Sequence, residues 1–208
     1  MEDLQKTVFI VDDEAPILDA LTLLLKSVEL SVKTFNNAQD FIDAYDSGKP
    51  GCLLLDIRMP GISGLELQKH LNQQPYALPI IFMTGHGDIP MAVEAIKNGA
   101  EDFIQKPFNS DDLLKKIQAA FDKDKYQRTN KKNSLQFCEN IQSLTPRERE
   151  IMERMIAGDA NKVIAIDLGI SQRTVEVHRA HIMQKTQAKS LAQLIKVTVV
   201  MKQAENSL

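Results

Sequence analysis

Residues 7–14 read TVFIVDDE, a run of β-branched and aromatic residues that ends in two aspartates and a glutamate. The apolar positions follow one another without alternation, which indicates a strand buried on both faces. Residues 52–56, CLLLD, repeat the pattern and end in Asp56. Strands of this kind belong to parallel sheets that helices cover on each side. The two runs therefore predict an α/β fold for the front of the chain.

Outward from these strands, apolar runs of β type alternate with segments of helical period as far as Phe121. Leu18, Leu21, Leu25 and Val28 show the helical spacing best. We predict strands over 7–11, 32–35, 52–56, 80–84 and 102–105, and helices over 15–28, 38–46, 63–73, 88–98 and 111–121. These βα units predict a doubly wound domain with a five-stranded parallel sheet, whose functional groups lie at the carboxyl ends of the strands.

The rear of the chain predicts short helices and no strand. Thr145, followed by Pro146 and Glu148, supplies an N-cap, a proline at the first helical position and the acid of a capping box. Ser171 and Ser190 supply two more N-caps. The predicted helices span 146–157, 161–168, 172–186 and 191–201, with Gly158 and Gly169 ending the first two. Four helices predict a small all-α domain.

A polar stretch separates the two parts. Residues 122–133, DKDKYQRTNKKN, have no apolar period and predict a linker that can continue the last helix for a turn or two. We therefore divide the chain into a domain over 1–121, a linker over 122–140 and a domain over 141–208. Acidic residues dominate the first domain, and basic residues exceed acidic ones behind it. Such a balance suits a cation-binding domain joined to one that meets a polyanion.

Other features exclude some classes of protein. No apolar run approaches the roughly 18 residues of a membrane helix, and the start lacks the basic-then-apolar layout of a secretory signal. We therefore expect a cytoplasmic protein with no membrane partner. Cys52 and Cys138 stand apart, with no spacing to other cysteines or histidines that is typical of metal sites. Both are predicted to be reduced thiols.

Polar residues end or directly follow four of the predicted strands. They are Asp12 and Asp13, Asp56, Thr84 and Lys106, and in the predicted sheet they converge on one edge. Clustered carboxylates raise one another's pKa unless a cation offsets them, and Mg²⁺ suits oxygen ligands. Asp56 would then be the nucleophile that becomes an aspartyl phosphate, while Lys106 and the Thr84 hydroxyl hold the phosphoryl oxygens. Turn or capping roles are the alternative at each single position, but all five together favour the site.

Residues 7–121 resemble a receiver domain, which has a flavodoxin-like fold. The resemblance is carried by VFIVDDE, LLLDIRMPGISGLEL and PIIFMTGHGDIPMAVEAIKNGAEDFIQKPF. It implies that a partner sensor histidine kinase phosphorylates Asp56. The Mg²⁺ ligands that it implies are Asp12, Asp13, Asp56 and a backbone carbonyl, that of Ile57 or, less favoured, that of Arg58.

The resemblance also implies a switch in which Thr84 and Phe103 change rotamer together, and a cis Lys106–Pro107 peptide. Phe103 stands where many receivers carry tyrosine, so its inward swing rests on burial alone. Phosphorylation adds about −1.5 to −2 charges, which would pull the loop after the fourth strand inward and change the surface of the fourth helix and fifth strand. A second receiver would dock there. Arg58 and His86 flank the pocket and are expected to affect the lifetime of the phosphoryl group.

The second and third rear helices, joined by LGIS, have the short glycine-containing turn of a helix-turn-helix unit. On the third helix, Val175, His178, Ile182 and the stem of Lys185 form the predicted inward stripe. We expect a core position for His178 and leave His181 open between solvent and phosphate contact. The residues predicted to contact DNA bases or phosphates are Arg173, Thr174, Glu176, Val177, Arg179, Ala180, His181, Lys185 and Lys189.

Residues 141–202 resemble the NarL/FixJ, LuxR-type effector domain through LTPREREIMERMIAG, NKVIAIDLGIS, RTVEVHRAHIMQKT and SLAQLI. The receiver segment points to the FixJ-like branch of that group. The resemblance implies two-fold pairing through the last helix, where Leu191, Leu194, Ile195 and Thr198 form a stripe that also packs the domain's own core in part. The expected partners are a sensor histidine kinase, a double-stranded DNA operator and a second copy on phosphorylation, with RNA polymerase as a further candidate.

We therefore predict a phosphorylation-dependent transcriptional regulator and not an enzyme. One alternative is a Mg²⁺-dependent phosphatase of the haloacid dehalogenase type. Such enzymes place a second aspartate two residues after the nucleophile, where this chain has Arg58. The other alternative is an RNA-binding antiterminator joined to a receiver.

Overall fold

The computed structural model describes residues 6–74, 78–85 and 88–205, with side chains as far as Val199. The chain forms two compact units, residues 1–128 and residues 129–208. Among the helices of the described ranges, none combines the length and the apolarity that spanning a membrane requires.

The first unit is built on a five-stranded parallel sheet in the order β2-β1-β3-β4-β5. Its strands are β1 (Thr7–Val11), β2 (Ser31–Phe35), β3 (Gly51–Asp56), β4 (Ile80–Thr84) and β5 (Asp102–Gln105). Every residue of β1, β3 and β4 is buried, which confirms the interpretation of their unbroken apolar runs. The predicted bounds of β1, β4 and β5 are confirmed, and β2 and β3 begin one residue earlier than predicted.

Helices cover both faces of this sheet. They are α1 (Ala15–Ser27), α2 (Ala38–Ala44), α3 (Gly64–Leu71), α4 (Ile89–Lys97) and α5 (Ser110–Gln142). Leu18, Leu21 and Leu25 of α1 pack with the early turns of α5 on one face. Phe41 of α2 and Leu67 of α3 contribute to the core of the other face, together with residues of α4. The doubly wound fold is therefore confirmed, and it brings the carboxyl ends of the strands to one edge.

Helix α5 is the main difference from the predicted structure. We expected a linker after residue 121 that continues the last helix for a turn or two, but the helix runs unbroken to Gln142. Part of the reason is a set of polar contacts on its inner side. Asp124 is 3% exposed and accepts a hydrogen bond from the Gly51 backbone N–H at 3.1 Å. Arg128 binds the Asp124 carboxylate and donates to the Lys49 carbonyl oxygen at 2.6 Å, so the helix needs no apolar stripe here.

The second unit is helical, as predicted. Phe137 and Ile141, at the end of α5, join a core built with α6 (Pro146–Ala157), α7 (Asn161–Asp167), α8 (Gln172–Thr186) and α9 (Leu191–Glu205). The predicted capping box of α6 is present, with Thr145 and Glu148 exchanging hydrogen bonds. Ser171 accepts from the Thr174 N–H at the start of α8. Local capping signals therefore set these helix starts.

Candidate functional site: an acidic pocket and a helix-turn-helix surface

Three of the predicted pocket residues meet at the carboxyl edge of the sheet. Lys106 Nζ lies 2.7 Å from Asp12 Oδ2 and 2.6 Å from Asp56 Oδ1. Asp12 follows β1, Asp56 ends β3, and Lys106 follows β5, so strands distant in sequence supply the three groups. Asp12 is 0% exposed and Asp56 is 8% exposed. One ammonium group therefore partly neutralises two buried carboxylates.

Backbone N–H groups bind the remaining oxygens of the two acids. The Glu14 N–H donates to Asp12 Oδ1 at 2.9 Å, and the Arg58 N–H donates to Asp56 Oδ2 at 2.7 Å. Burial nevertheless raises the pKa of Asp56 above its ordinary value, against the lowering effect of Lys106. Burial also opposes the charge of Lys106, but its hydrogen bonds to Asp12 and Asp56 raise the pKa of the lysine. Lys106 therefore stays charged at neutral pH.

Neither Thr84 nor Phe103 is in the inward position expected of the modified protein. The Thr84 hydroxyl does not bond Asp56, and Phe103 is not fully buried. Thr84 ends β4, is 3% exposed and donates its hydroxyl to the Ile104 carbonyl oxygen at 3.4 Å. Phe103 on β5 is 37% exposed. The Lys106–Pro107 peptide is cis, which confirms that expectation.

Asp13 does not join the other two acids in this arrangement. It is exposed, and within the described ranges no three His, Cys, Asp or Glu side chains form a group that could hold a metal ion. Asp12 and Asp56 share the Lys106 ammonium, whereas Asp13 stands apart from this contact. The Ile57 carbonyl accepts a hydrogen bond from the Gly64 N–H at 3.3 Å. His86, expected to flank the pocket, lies outside the described residues.

Sequence reasoning missed one polar group beside the pocket. Asp88, at the start of α4, is 5% exposed. Its Oδ1 lies 2.6 Å from Arg58 Nε, and its Oδ2 accepts a hydrogen bond from the Gly85 N–H at 2.9 Å. An aspartate before a helix is usually a cap, so its position in the sequence gave no signal of this contact.

In the second unit, α7 and α8 form the predicted helix-turn-helix. Val175, Ile182 and Thr186 are the buried residues of α8. His178 is half-buried and is not a member of the core, so the core position expected for it is wrong. Val175 and Ile182 of the predicted inward stripe are buried, whereas part of the His178 surface stays exposed. On α9, Leu194 and Thr198 are buried in the domain itself, whereas Leu191 and Ile195 of the expected pairing stripe are half-buried.

Most of the residues predicted to contact DNA are exposed on α8 or directly after it. The exposed members are Arg173, Thr174, Glu176, Val177, Ala180, His181, Lys185 and Lys189, and Arg179 is half-buried. Two of them have partners inside the domain. The Thr174 hydroxyl is 2.8 Å from that of Ser171, and Lys185 Nζ donates to Glu148 Oε2 at 2.8 Å. Lys185 therefore links α8 to the capping box of α6.

Comparisons with known proteins match both units to families. The response regulator receiver domain matches residues 8–118, and the luxR family of bacterial regulatory proteins matches residues 142–198. The chain belongs to the NarL/FixJ family of two-component response regulators. Members of this family are transcriptional regulators and not enzymes, which removes the phosphatase alternative. The luxR match likewise favours the DNA-binding interpretation over the antiterminator.

Relatives cover nearly the whole response regulator. The response regulator protein TodT of Pseudomonas putida is 43% identical over 198 residues, which span 95% of this chain and 87% of TodT. The transcriptional regulatory protein FixJ of Bradyrhizobium diazoefficiens is 43% identical over 192 residues, or 92% and 94% of the two chains. The structure of the response regulator StyR aligns with a TM-score of 0.77 and 42% identity, over 93% of this chain and 98% of that one.

The contact between Lys185 and Glu148 makes the stability of the response regulator's second unit depend on pH. Hydrogen bonds from Lys185 and Thr145 lower the pKa of Glu148 to about 2, from an ordinary value of 4.5. A lowered pKa in the folded state stabilises the fold above the unfolded pKa, and this stabilisation is lost as the pH falls from 4.5 towards about 2. The second unit should therefore become less stable in acid.

We expect Glu148→Gln to lower the free energy of unfolding by about 2 kcal/mol at neutral pH, because charge-assisted hydrogen bonds are lost. The difference from the unsubstituted protein should shrink as acid protonates Glu148. Urea unfolding of both proteins over a range of pH measures this. Glu150→Gln, which removes an exposed partner of Arg147, is the control and should cost less than about 1 kcal/mol. A constant difference at every pH would contradict the expectation.

Proposed function

We propose that a sensor histidine kinase phosphorylates Asp56, and that this modification promotes receiver pairing and tighter binding of α8 to a two-half-site DNA operator. The observation that carries the proposal is the position of the Lys106 ammonium, within 2.7 Å of both Asp12 and Asp56. A lysine that neutralises a carboxylate pair at the carboxyl edge of a sheet is placed to bind phosphoryl oxygens that form there. The family membership supports the same role.

In the proposed reaction, a carboxylate oxygen of Asp56 attacks the phosphorus atom of a phosphohistidine. The new O–P bond forms as the N–P bond breaks, and the electron pair of that bond leaves with the donor imidazole. Lys106 Nζ binds a phosphoryl oxygen by charge, and the Arg58 N–H, which now donates to Asp56 Oδ2, stays beside the acid. Thr84 would then move its hydroxyl from the Ile104 carbonyl to the phosphoryl group.

The donor chemistry of the pocket fits Mg²⁺. Receiver domains generally bind this ion, and two buried carboxylates that can approach one cation are the hard oxygen ligands that it prefers. The proposed ligands are Asp12, Asp13, Asp56 and one backbone carbonyl. The Ile57 carbonyl already accepts from Gly64, which favours the Arg58 carbonyl for this position. When bound, the ion would supply positive charge to the phosphoryl oxygens.

The proposed switch couples Thr84 to Phe103 and then to a surface on α4 and β5. Ile89, Val93 and Ile96 lie on one face of α4 and are 64%, 46% and 40% exposed. A row of exposed apolar side chains at helical spacing is typical of a docking surface. Inward movement of the exposed Phe103 would reshape this row, and a second receiver would cover it.

Pairing of receivers would bring two copies of α8 to DNA. We propose base contacts for Val177, Ala180 and Glu176, and phosphate contacts for Arg173 and Lys189. Arg179, Thr174 and His181 remain candidates beside them, and Lys185 would have to leave Glu148 to contact DNA.

RNA polymerase is a further partner that we propose for this transcriptional regulator. We propose the cytoplasm as the location of the regulator. The functional limits that we propose remain 1–121 for the receiver and 141–208 for the DNA-binding domain.

The proposal is tested by treating the full chain with acetyl phosphate and Mg²⁺. Borohydride reduction and peptide mapping should place the modification on the peptide that contains Asp56. Size measurement should then show pairing, and a gel shift should show stronger binding to duplex DNA, recovered from genomic fragments that the treated protein binds, than to RNA of the same sequence. Modification at another residue, or stronger binding to RNA, would contradict the proposal.

A further inference from the structure

Asp88 connects the two loops that flank Asp56. Arg58 belongs to the loop after β3, and its side chain binds Asp88 Oδ1 at 2.6 Å. Gly85 belongs to the loop after β4, and its N–H donates to Asp88 Oδ2 at 2.9 Å. The carboxylate is 5% exposed, so it is held between the loops and is not a freely solvated charge.

A structural role as a helix cap does not explain this carboxylate. Asp88 stands at the N-cap of α4, yet its side chain makes no capping hydrogen bond there. Asn37 and Ser63, the N-caps of α2 and α3, do accept such bonds. Asp88 instead uses both oxygens on donors from the pocket loops.

We propose that Asp88 is a positioning residue that holds the Arg58 guanidinium and the Gly85 N–H in the unmodified protein, and that the phosphoryl group takes over these donors. Gly85 directly follows Thr84, so a movement of the loop that carries Thr84 towards the pocket would also move the Gly85 N–H. The Arg58 backbone N–H already contacts Asp56 at 2.7 Å, so its side chain begins close to the new anion. Asp88 therefore competes with the phosphoryl group for the same two donors, and this inference rests on the proposed phosphorylation of Asp56.

This competition predicts the direction in which loss of the Asp88 contact changes the affinity for a phosphoryl group. Breaking the contact should favour the modified state, because the unmodified state alone loses an ion pair. Beryllofluoride with Mg²⁺ serves as the probe, and its affinity for the full chain is measured by calorimetry. Asp88→Asn keeps an oxygen for the Gly85 N–H but removes the charge that holds Arg58. We expect it to bind beryllofluoride about fivefold more tightly, the size expected for an ion pair with one exposed partner.

Two further variants separate this role from a structural one. Asp40→Asn removes an exposed carboxylate from the first turn of α2 and should leave the affinity unchanged. Arg58→Gln, whose side chain is 68% exposed in the unsubstituted protein, should fold normally and bind beryllofluoride no more tightly than that protein. Arg58→Gln removes the guanidinium from the unmodified and the modified state alike, so the substitution gives the modified state no advantage.

The variants form a double-mutant cycle. In the Arg58→Gln background, Asp88→Asn should have almost no effect on the affinity, because the ion pair is already absent. Equal effects in both backgrounds, or unchanged affinity of Asp88→Asn alone, would overturn the exchange of donors. Failure of the unsubstituted protein to bind beryllofluoride would instead overturn the proposed phosphorylation site.

Discussion

Asp56→Asn should abolish the response to acetyl phosphate while leaving the fold intact. An amide is not a nucleophile towards phosphorus, so no acyl phosphate can form at this position. The gain in DNA affinity on treatment, which we expect to be about tenfold for the unsubstituted protein, should vanish. The measurements are phosphoryl incorporation and a gel shift before and after treatment.

The stability of Asp56→Asn follows from the pKa of the acid. Burial raises the pKa of Asp56, so ionisation of this side chain is less favourable in the folded than in the unfolded protein. Such a group destabilises the fold once the pH exceeds its unfolded pKa, and a neutral amide removes that effect. The midpoint of thermal unfolding should therefore stay the same or rise. Asp19→Asn, on the exposed side of α1, is the matched control and should respond to acetyl phosphate normally. A treated Asp56→Asn protein that still gains affinity would contradict the assignment.

Strand and cap positions could be predicted from the sequence because their signals are local. The buried run Thr7–Val11 shows its environment in its own residues, since the four positions after Thr7 are all apolar. The start of α6 is indicated within four positions, by Thr145, Pro146 and Glu148. The parallel order of the strands then dictates that Asp12, Asp56 and Lys106 share an edge.

Contacts between distant polar residues could not be predicted in this way. The polar stretch after residue 121 has no apolar period, and its helical state depends partly on the contacts of Asp124 with Gly51 and of Arg128 with the carbonyl of Lys49. Lys185 was expected to contact phosphate, but its partner Glu148 lies 37 residues earlier. Periodicity along one helix describes which side faces inward and does not identify the acid that approaches from another helix.

The acidic pocket, likewise, could be predicted from the sequence only in part. Sequence reasoning placed Lys106 beside the acids but reserved its charge for phosphoryl oxygens, and assigned the neutralising role to Mg²⁺ alone. In the structure, the ammonium already bridges Asp12 and Asp56. The order of the strands predicts which groups lie near one another. Which of these groups form ion pairs depends on the distances between their side chains.

Gly64→Ala should damage both the stability of the receiver and the phosphorylation site, because the backbone of Asp56 lies against this glycine. An added Cβ would be 2.3 Å from the Asp56 carbonyl oxygen and 3.0 Å from a ring carbon of Phe82. The end of β3 must then shift, and we expect a loss of at least about 2 kcal/mol. For a domain of this size, the midpoint of thermal unfolding should fall by about 10 °C.

A matched substitution separates crowding from the general effect of removing a glycine. At Gly48, an added Cβ would meet only the side chain of Asp46, at 3.1 Å, so Gly48→Ala should change the midpoint little. Phe82→Leu should not rescue Gly64→Ala, because the tightest contact is with a backbone oxygen that no side-chain change removes. Phosphoryl incorporation at Asp56 should fall in Gly64→Ala even at temperatures where the protein is folded, since the same shift displaces the acid from Lys106. Full activity in that variant would show that β3 adjusts without moving the Asp56 side chain.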